Sequence, residues 1–463
     1  MSGRRPPLTV VPGPRDERGR EDHGAREPRA TPGHPPGSTR AGLELTALGT
    51  GLVLTLALMA RLGSWARDLG TFQSLYAVAF AFFALAMARA RPAPVPRAGV
   101  LVFAVAVAAR MALLPVTPTL SDDIYRYVWE GKVAAHGHDP YRLSPRDTTF
   151  VRLRDRVVYP RINHPELATI YPPLSIAGFA LVARLSPTVW AMKSWVLLHD
   201  LALVLLLLAW ARARRASPLA VIAYAWNPLV LVEYSGSGHN DPTAMVWLVA
   251  ALVWAERRPA LAALALAAGT LTKLAPLVAL PFLLRHWPWR VRLLALATIA
   301  AGLGWFWSQT RGSDSGLTAY GRAWANNELV FLYLARVVHD PLVARQVAVA
   351  LLALALAVLA WRGWDAARAT RFGTRAGFLL SPVAHPWYLG WVLVLEPLAP
   401  SAPWLLLSLT AVLSYGVLAP PVDGGGFHLP LAWRWFEYGV PLVLAVVLAL
   451  ARRTGSRGPR ART

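Results

Sequence analysis

The sequence predicts an all-α polytopic membrane protein of about 11–14 transmembrane helices, with one long outer loop, 116–170, that carries amphipathic surface helices. Three observations predict it. Hydrophobic residues make up 55% of the 463 positions and charged residues 16%, against about 25% charged in an ordinary soluble domain. The deficit is concentrated, because 43–60, 71–88, 98–109, 196–210, 291–310 and 346–361 read as nearly continuous apolar runs. A helix needs roughly 20 such residues to cross hydrocarbon, whereas a closed barrel would show short alternating segments. Finally, the arginines gather at run ends, as in Arg212, Arg214, Arg215, Arg257, Arg258, Arg452 and Arg453. Cytoplasmic flanks of membrane helices carry that excess. The net charge of +22 is therefore read as membrane topology, and nucleic acid is rejected as a partner.

In chain order, residues 1–42 are rich in Pro, Gly, Arg, Asp and Glu and read as a disordered cytoplasmic tail. They are too long and too polar for a cleavable signal peptide. The membrane domain, 43–451, offers candidate segments at 43–62, 71–89, 98–115, 171–186, 190–211, 218–234, 242–256, 259–271, 274–285, 290–309, 340–361, 376–395, 402–419 and 436–451. Residues 452–463 form a basic tail. With the N-terminus inside, three spans place 116–170 outside and Arg89, Arg91 and Arg97 inside. Two full spans between 171 and 211 would then put Arg212, Arg214 and Arg215 outside. Either 171–186 is re-entrant or the charge rule fails there. The chain has no cysteine, which excludes disulfides and thiolate metal sites.

The outer loop holds the candidate chemistry. Ile124, Tyr127, Val128, Gly131 and Ala135 recur at helical spacing, so 122–136 reads as an amphipathic helix at the membrane surface, with Ser121 as its N-cap. Asp122 and Asp123 sit in its first turn. The macrodipole alone would favour them there, but adjacent carboxylates also repel and raise a pKa. Asn163, His164 and Glu166 could bind a sugar, orient a carboxylate or be a solvated loop. Pro172 and Pro173, after Tyr171, suit the first turn of the next helix.

The run from Ser121 through Asp122, Asp123, Ile124, Tyr125, Arg126, Tyr127, Val128, Trp129 and Glu130 to Gly131 resembles the first outer loop of GT-C glycosyltransferases. So do His138-Asp139-Pro140-Tyr141 and Tyr171-Pro172-Pro173-Leu174. The likeness is greatest to bacterial polyprenol-phosphate-mannose-dependent mannosyltransferases, and more distant to the mannosyltransferase of glycosylphosphatidylinositol synthesis. It continues through Trp226-Asn227-Pro228, Gly238-His239-Asn240-Asp241, Lys273-Leu274-Ala275-Pro276 and His385-Pro386-Trp387-Tyr388.

The resemblance implies a hexose, by preference mannose, moved with inversion from a polyprenyl-phosphate carrier to a lipid-linked glycan or other acceptor. It places the enzyme in the cell (inner) membrane with its site on the periplasmic or extracellular face. A loop carboxylate would be the general base, and Asp122 and Asp123 match it. Cations must then face the donor phosphate. Arg126, Lys273 and Arg322 are the candidates, and Lys273 stands out because it interrupts an apolar stretch, though a snorkelling lysine would look the same. Tyr125, Tyr171, His239, Asn240, Asp241 and His385 are candidates for sugar or acceptor contact, with Asn163, His164 and Glu166. His239 to Asp241 could equally be a polar loop tip or hold a divalent ion, magnesium or manganese. Trp387 reads as interfacial belt, and Trp324 to Glu328 as an acceptor rim. The rival function is a transporter or flippase of a lipid-linked glycan. It would place carboxylates and cations within spans, and the acidic pair lies in a loop.

Overall fold

The computed structural model describes residues 36–90, 95–311, 315–419 and 429–455. Among the described residues the chain is helical, with one isolated bridge between Asn326 and Val383 in place of any sheet. The helices in order are α1 (Pro36–Met59), α2 (Leu69–Arg89), α3 (Ala98–Leu113), α4 (Asp123–Ala135), α5 (Pro173–Leu185), α6 (Val189–Ala213), α7 (Pro242–Trp254), α8 (Pro259–Thr272), α9 (Leu280–His286), α10 (Trp289–Thr310), α11 (Gly316–Ala323), α12 (Val330–Val338), α13 (Pro341–Trp361), α14 (Ala366–Leu380), α15 (Ala402–Thr410) and α16 (Leu431–Gly455). Six of them, α1, α2, α6, α10, α13 and α16, are long and apolar enough to cross a membrane, and shorter apolar helices lie between them. The protein is an all-α, multi-pass membrane protein, as the apolar runs predict.

The ends differ from the prediction. α1 begins at Pro36, inside the predicted tail, and Arg40 pairs with Glu44 one turn on at 3.0 Å, which supports an exposed first turn. Most of that tail, 1–35, lies outside the described residues. α16 runs to Gly455, with Arg452 and Arg453 in its last turn, where cations suit the helix dipole; 456–463 lie outside the described residues.

Hydrogen bonds show which helix ends lie level with one another near 171–211. Thr119 Oγ1 accepts from Trp65 N at 3.0 Å, so the α1–α2 turn and the end of α3 share one side, hereafter the loop side. Lys193, in the first turns of α6, donates to the carbonyls of Leu113 and Val116 at 3.2 and 2.6 Å. The start of α6 is therefore level with the loop-side end of α3. Its 25 residues then carry Arg212, Arg214 and Arg215 to the opposite side, together with Arg89 and Arg97. α5, at 13 residues, rises ~20 Å, short of the ~30 Å of hydrocarbon. It begins and ends on the loop side, which removes the conflict with the charge rule. The absence of native cysteine allows a direct check. Single cysteines at Glu166 and Arg214 are expected to react with an impermeant maleimide from opposite sides of the membrane. Labelling of both from one side would refute this course of α6.

The predicted helix is present as α4, and protein covers it on both faces. Residues Ile124 through Gly131 are all buried. One face packs on α5, where Tyr127 stacks on Phe179 at 4.9 Å. At the crossing a Cβ on Gly131 would collide with the Phe179 carbonyl, so only glycine permits the approach. The other face is roofed by the rest of the loop, with Trp129 edge-on to Phe150 at 6.1 Å and against Tyr159 at 5.3 Å. Periodicity found the helix, and long-range aromatic packing, invisible to a local pattern, buried it.

Two predicted spans are broken. Residues 218–234 form short turns interrupted at Asn227-Pro228 and ending in a π-helical turn, Leu231–Gly236, and from Val221 to Gly236 every residue is buried. Proline removes a backbone donor and Asn227 caps the restart by accepting from Leu229 N at 3.0 Å. Likewise 376–395 is split, because α14 ends at Leu380 and 386–393 form separate turns. α7 and α8, of 13 and 14 residues, form a hairpin whose loop-side ends stop inside the protein. That hairpin brings Asp241 and Lys273 together.

Candidate active site

A cavity of about 600 Å³ lies between the outer loop, the 315–340 segment and the turns after α8 and α14. Its polar end carries Asp123, Arg126, Asn163, Lys273 and His385, and its flank is formed by Leu277, Val278, Leu352, Leu356 and Phe378. The flank leads to α13, which is largely uncovered by protein.

Helix α4 separates the two aspartates. Asp123 lines the cavity, and its Oδ1 accepts from Asn163 Nδ2 at 2.9 Å. Ser121 is not the N-cap: Asp122 holds that position, and the Ser121 hydroxyl accepts from Asp123 N at 3.3 Å. Asp122 is not on the cavity wall. Burial and the Asp123 carboxylate raise its pKa, with Arg161 opposing. Arg161 also lies over the Tyr125 ring at 5.5 Å, which places Tyr125 behind the helix and away from the cavity.

Of the predicted phosphate cations, Lys273 reaches the cavity best. It follows the last residue of α8 in an extended conformation, and its Nζ donates to Asp241 Oδ1 at 2.7 Å while sitting 5.0 Å from the Tyr388 ring centre. It points into protein, not toward lipid headgroups. Arg126 lines the cavity too, but its guanidinium is engaged. It pairs with Glu130 at 2.6 Å and donates to the carbonyls of Asn163, His164 and Leu167 at 3.3, 2.9 and 3.1 Å. It clamps the outer loop shut. Arg322 is exposed on α11 and absent from the cavity wall.

The sugar and acceptor candidates divide likewise. Asn163, His164, Tyr171 and His385 line the cavity. Glu166 is exposed beside it, 3.3 Å from His164 and 3.7 Å from Arg146. His239, Asn240 and Asp241 are buried beneath the floor, so they are not a loop tip. His239 Nδ1 lies 3.2 Å from Glu233, Asn240 donates to Ser175 at 3.3 Å, and Asp241 accepts from Trp391 Nε1 at 2.7 Å. Trp387 does not belong to the interfacial belt. It is stacked between His239 at 3.9 Å and His385 at 4.1 Å, interplanar 14° and 11°, so both faces are closed to a sugar. Among the described residues no group of three or more His, Asp or Glu side chains stands close enough to hold a metal ion, and the residues present do not fit a protein-built divalent cage.

The 315–340 segment supplies wall residues too. Tyr320 and Tyr388 hydroxyls meet at 3.2 Å, and Trp324 meets the His164 ring at 4.6 Å, closing the rim between the two loops. Asn326 bonds His385 Nδ1 at 2.9 Å. Asn327 and Glu328, read as rim, instead pin this loop to α16 through Glu437 at 2.9 Å and Arg434 at 3.2 Å. Trp391 and Tyr320 carried no signal in the sequence, since isolated aromatics are abundant at membrane interfaces. Three buried ion pairs were also missed: Arg110 with Asp200 at 2.8 Å, and Glu396 with both Arg371 and Arg375.

The family described as alpha-(1->6)-mannopyranosyltransferase, N-terminal domain, matches residues 40–289, more than half of the chain. The alpha-(1->6)-mannopyranosyltransferase A of Mycobacterium tuberculosis (strain ATCC 25618 / H37Rv) is 25% identical over 405 residues, covering 76% of this chain and 75% of that protein. No solved structure matches. The match takes in the acidic loop, the Lys273 hairpin and the buried turns beneath them, and the chain belongs to the alpha-(1->6)-mannopyranosyltransferase family of GT-C membrane glycosyltransferases.

Proposed function

We propose that this hexosyltransferase moves mannose from a polyprenyl-phosphate donor to a glycan or lipid-linked acceptor in an α-(1→6) linkage, on the periplasmic or extracellular face of the cell membrane. The observation that carries the reading is one cavity with Asp123 and Lys273 at its polar end and an apolar flank at Val278, Leu352, Leu356 and Phe378. That is the shape and polarity of an amphiphile with a phosphate head.

In this reading the acceptor oxygen attacks the anomeric carbon as the sugar–phosphate bond breaks. Asp123 takes the hydroxyl proton as general base. Asn163 holds its carboxylate at 2.9 Å and so presents the other oxygen to the acceptor. Lys273 faces the phosphate, where negative charge develops. A lipid phosphate is a good leaving group, so no general acid is needed. Single displacement inverts the anomeric centre, so an α-linked product requires a β-linked donor. His164 and Trp324 frame the acceptor side. The transporter reading finds charge within spans at Arg110 and Asp200, but these two pair with each other and do not line the cavity, whereas Asp123 stands on a loop helix at one side of the membrane.

Membranes holding the protein are expected to transfer labelled mannose from polyprenyl-phosphate mannose to a mannoside acceptor, and not from a nucleotide-linked mannose. Transfer from the nucleotide sugar alone would overturn the donor assignment.

A further inference from the structure

The only lysine on the cavity wall is tied to a carboxylate that never meets the cavity. Asp241 is wholly buried, and its Oδ1 accepts from both Lys273 Nζ and Trp391 Nε1 at 2.7 Å. Lys273 is 21% exposed and the carboxylate below it 0%. The second cation at the polar end, Arg126, is held by Glu130 at 2.6 Å and by loop carbonyls, and the Asp123 carboxylate shares the same wall. The polar end therefore presents hydrogen-bond donors of fixed direction with no excess of positive charge.

That balance matters for the two lipid phosphates the site must handle. The donor is a phosphodiester with one negative charge. When the acceptor oxygen displaces the phosphate, the bond's electron pair leaves with it and the acceptor proton goes to Asp123. The product is then a phosphate monoester of about −1.5 to −2 charge near neutral pH. An uncompensated lysine would hold that product more tightly than the donor it must give way to.

We propose that Asp241 is a positioning residue that aims Lys273 at the donor phosphate and cancels its charge, so that the spent lipid phosphate leaves. The inference rests on the lipid-phosphate donor proposed above.

The test is a charge series in the full-length protein: Asp241→Asn, Lys273→Gln and the double variant, each assayed for donor KM and for inhibition by polyprenyl phosphate. The quantity read is the ratio of donor KM to the product inhibition constant. Relative to wild type, Asp241→Asn is expected to raise the ratio about tenfold and Lys273→Gln to lower it about tenfold, for one unit of charge acting across a few ångströms of partly screened protein. The double variant, neutral like wild type, is expected to return the ratio to within about threefold of the wild-type value. Either single variant that assembles is enough to compare with wild type, and Lys273→Gln, which leaves Asp241 bonded to Trp391, covers the case in which Asp241→Asn does not assemble. A purely structural Asp241 would lower yield and kcat and leave the ratio in place. A ratio unmoved in a single variant, moved there in the opposite sense, or not restored in the double variant overturns the proposal. If wild type accepts no polyprenyl-phosphate sugar at all, it is the donor reading that fails instead.

Discussion

Replacing Asp123 by asparagine is expected to lower kcat by about 10²–10⁴-fold, the usual contribution of a positioned general base, with donor KM changed by less than about threefold because donor binding does not use the lost charge. Asparagine keeps the shape and an oxygen able to accept from Asn163, whose amide lies 2.9 Å from the native carboxylate. What it loses is the ability to take a proton. The neighbouring change, Asp122→Asn, is expected to cost less than about tenfold, since that carboxyl is off the cavity wall and acts only through the field at the helix start. Steady-state transfer from labelled polyprenyl-phosphate mannose, with protein amount matched by immunoblot, separates the two. If Asp122→Asn carried the large loss and Asp123→Asn the small one, the base would have been assigned to the wrong residue.

Arg126→Met is expected to destabilise the protein by about 3–5 kcal/mol, because it strips a buried carboxylate of its partner and leaves loop carbonyls without a donor. The side chain that disappears joins α4 to Asn163, His164 and Leu167, and with Glu130 at 2.6 Å it forms the knot of the outer loop. The loss has a pH signature. Burial pushes the Glu130 carboxyl from its usual 4.5 up to about 7, with Arg126 pulling the other way. The folded state thus keeps a proton that the unfolded chain gives up near 4.5, and this group's contribution to stability falls as pH rises from there through 7. Without Arg126 the folded value climbs further and the decline continues beyond pH 7. The deficit relative to wild type should therefore widen above pH 7, by up to about 1.4 kcal/mol per pH unit. Adding Glu130→Gln should abolish that widening. Thermal unfolding of the purified protein at pH 6 and pH 8.5 reads both effects. Unchanged stability together with weakened donor binding would show instead that Arg126 serves the phosphate directly.

Sequence patterning reached the helical membrane architecture because apolar run length and arginine placement are local signals. The same patterning located α4 and the acidic pair. It could not say which aspartate faces the cavity, since that depends on how α4 rolls against Phe179 and the roof at Phe150 and Tyr159. Lys273 was legible as a charge in an apolar run. Its partner Asp241 was visible only as part of a polar cluster, because the two are joined by the return of one helix beside another. Arg126 misled for a related reason: an arginine beside an acidic pair reads as a phosphate ligand, and nothing local shows that three distant carbonyls occupy it. Trp387 failed similarly, as composition assigns tryptophan to the membrane interface and only the stacked His239 and His385 rings place it inside.

The buried turns at 221–236 also bear on how the protein is made. This stretch is apolar enough to leave the ribosome as a membrane segment, yet broken and polar enough to be a poor one alone. Two of its polar side chains have local partners in Leu229 and His239 but complete their hydrogen bonds only much later in synthesis: Asn227 donates to Ser408 at 2.9 Å, and Glu233 accepts from Tyr415 at 2.7 Å. Until about 180 further residues have been translated, one donor and one acceptor atom wait in a half-built enclosure, at a cost lipid does not relieve. Nascent chains stalled before α15 would therefore be the form that insertion chaperones hold and membrane proteases remove.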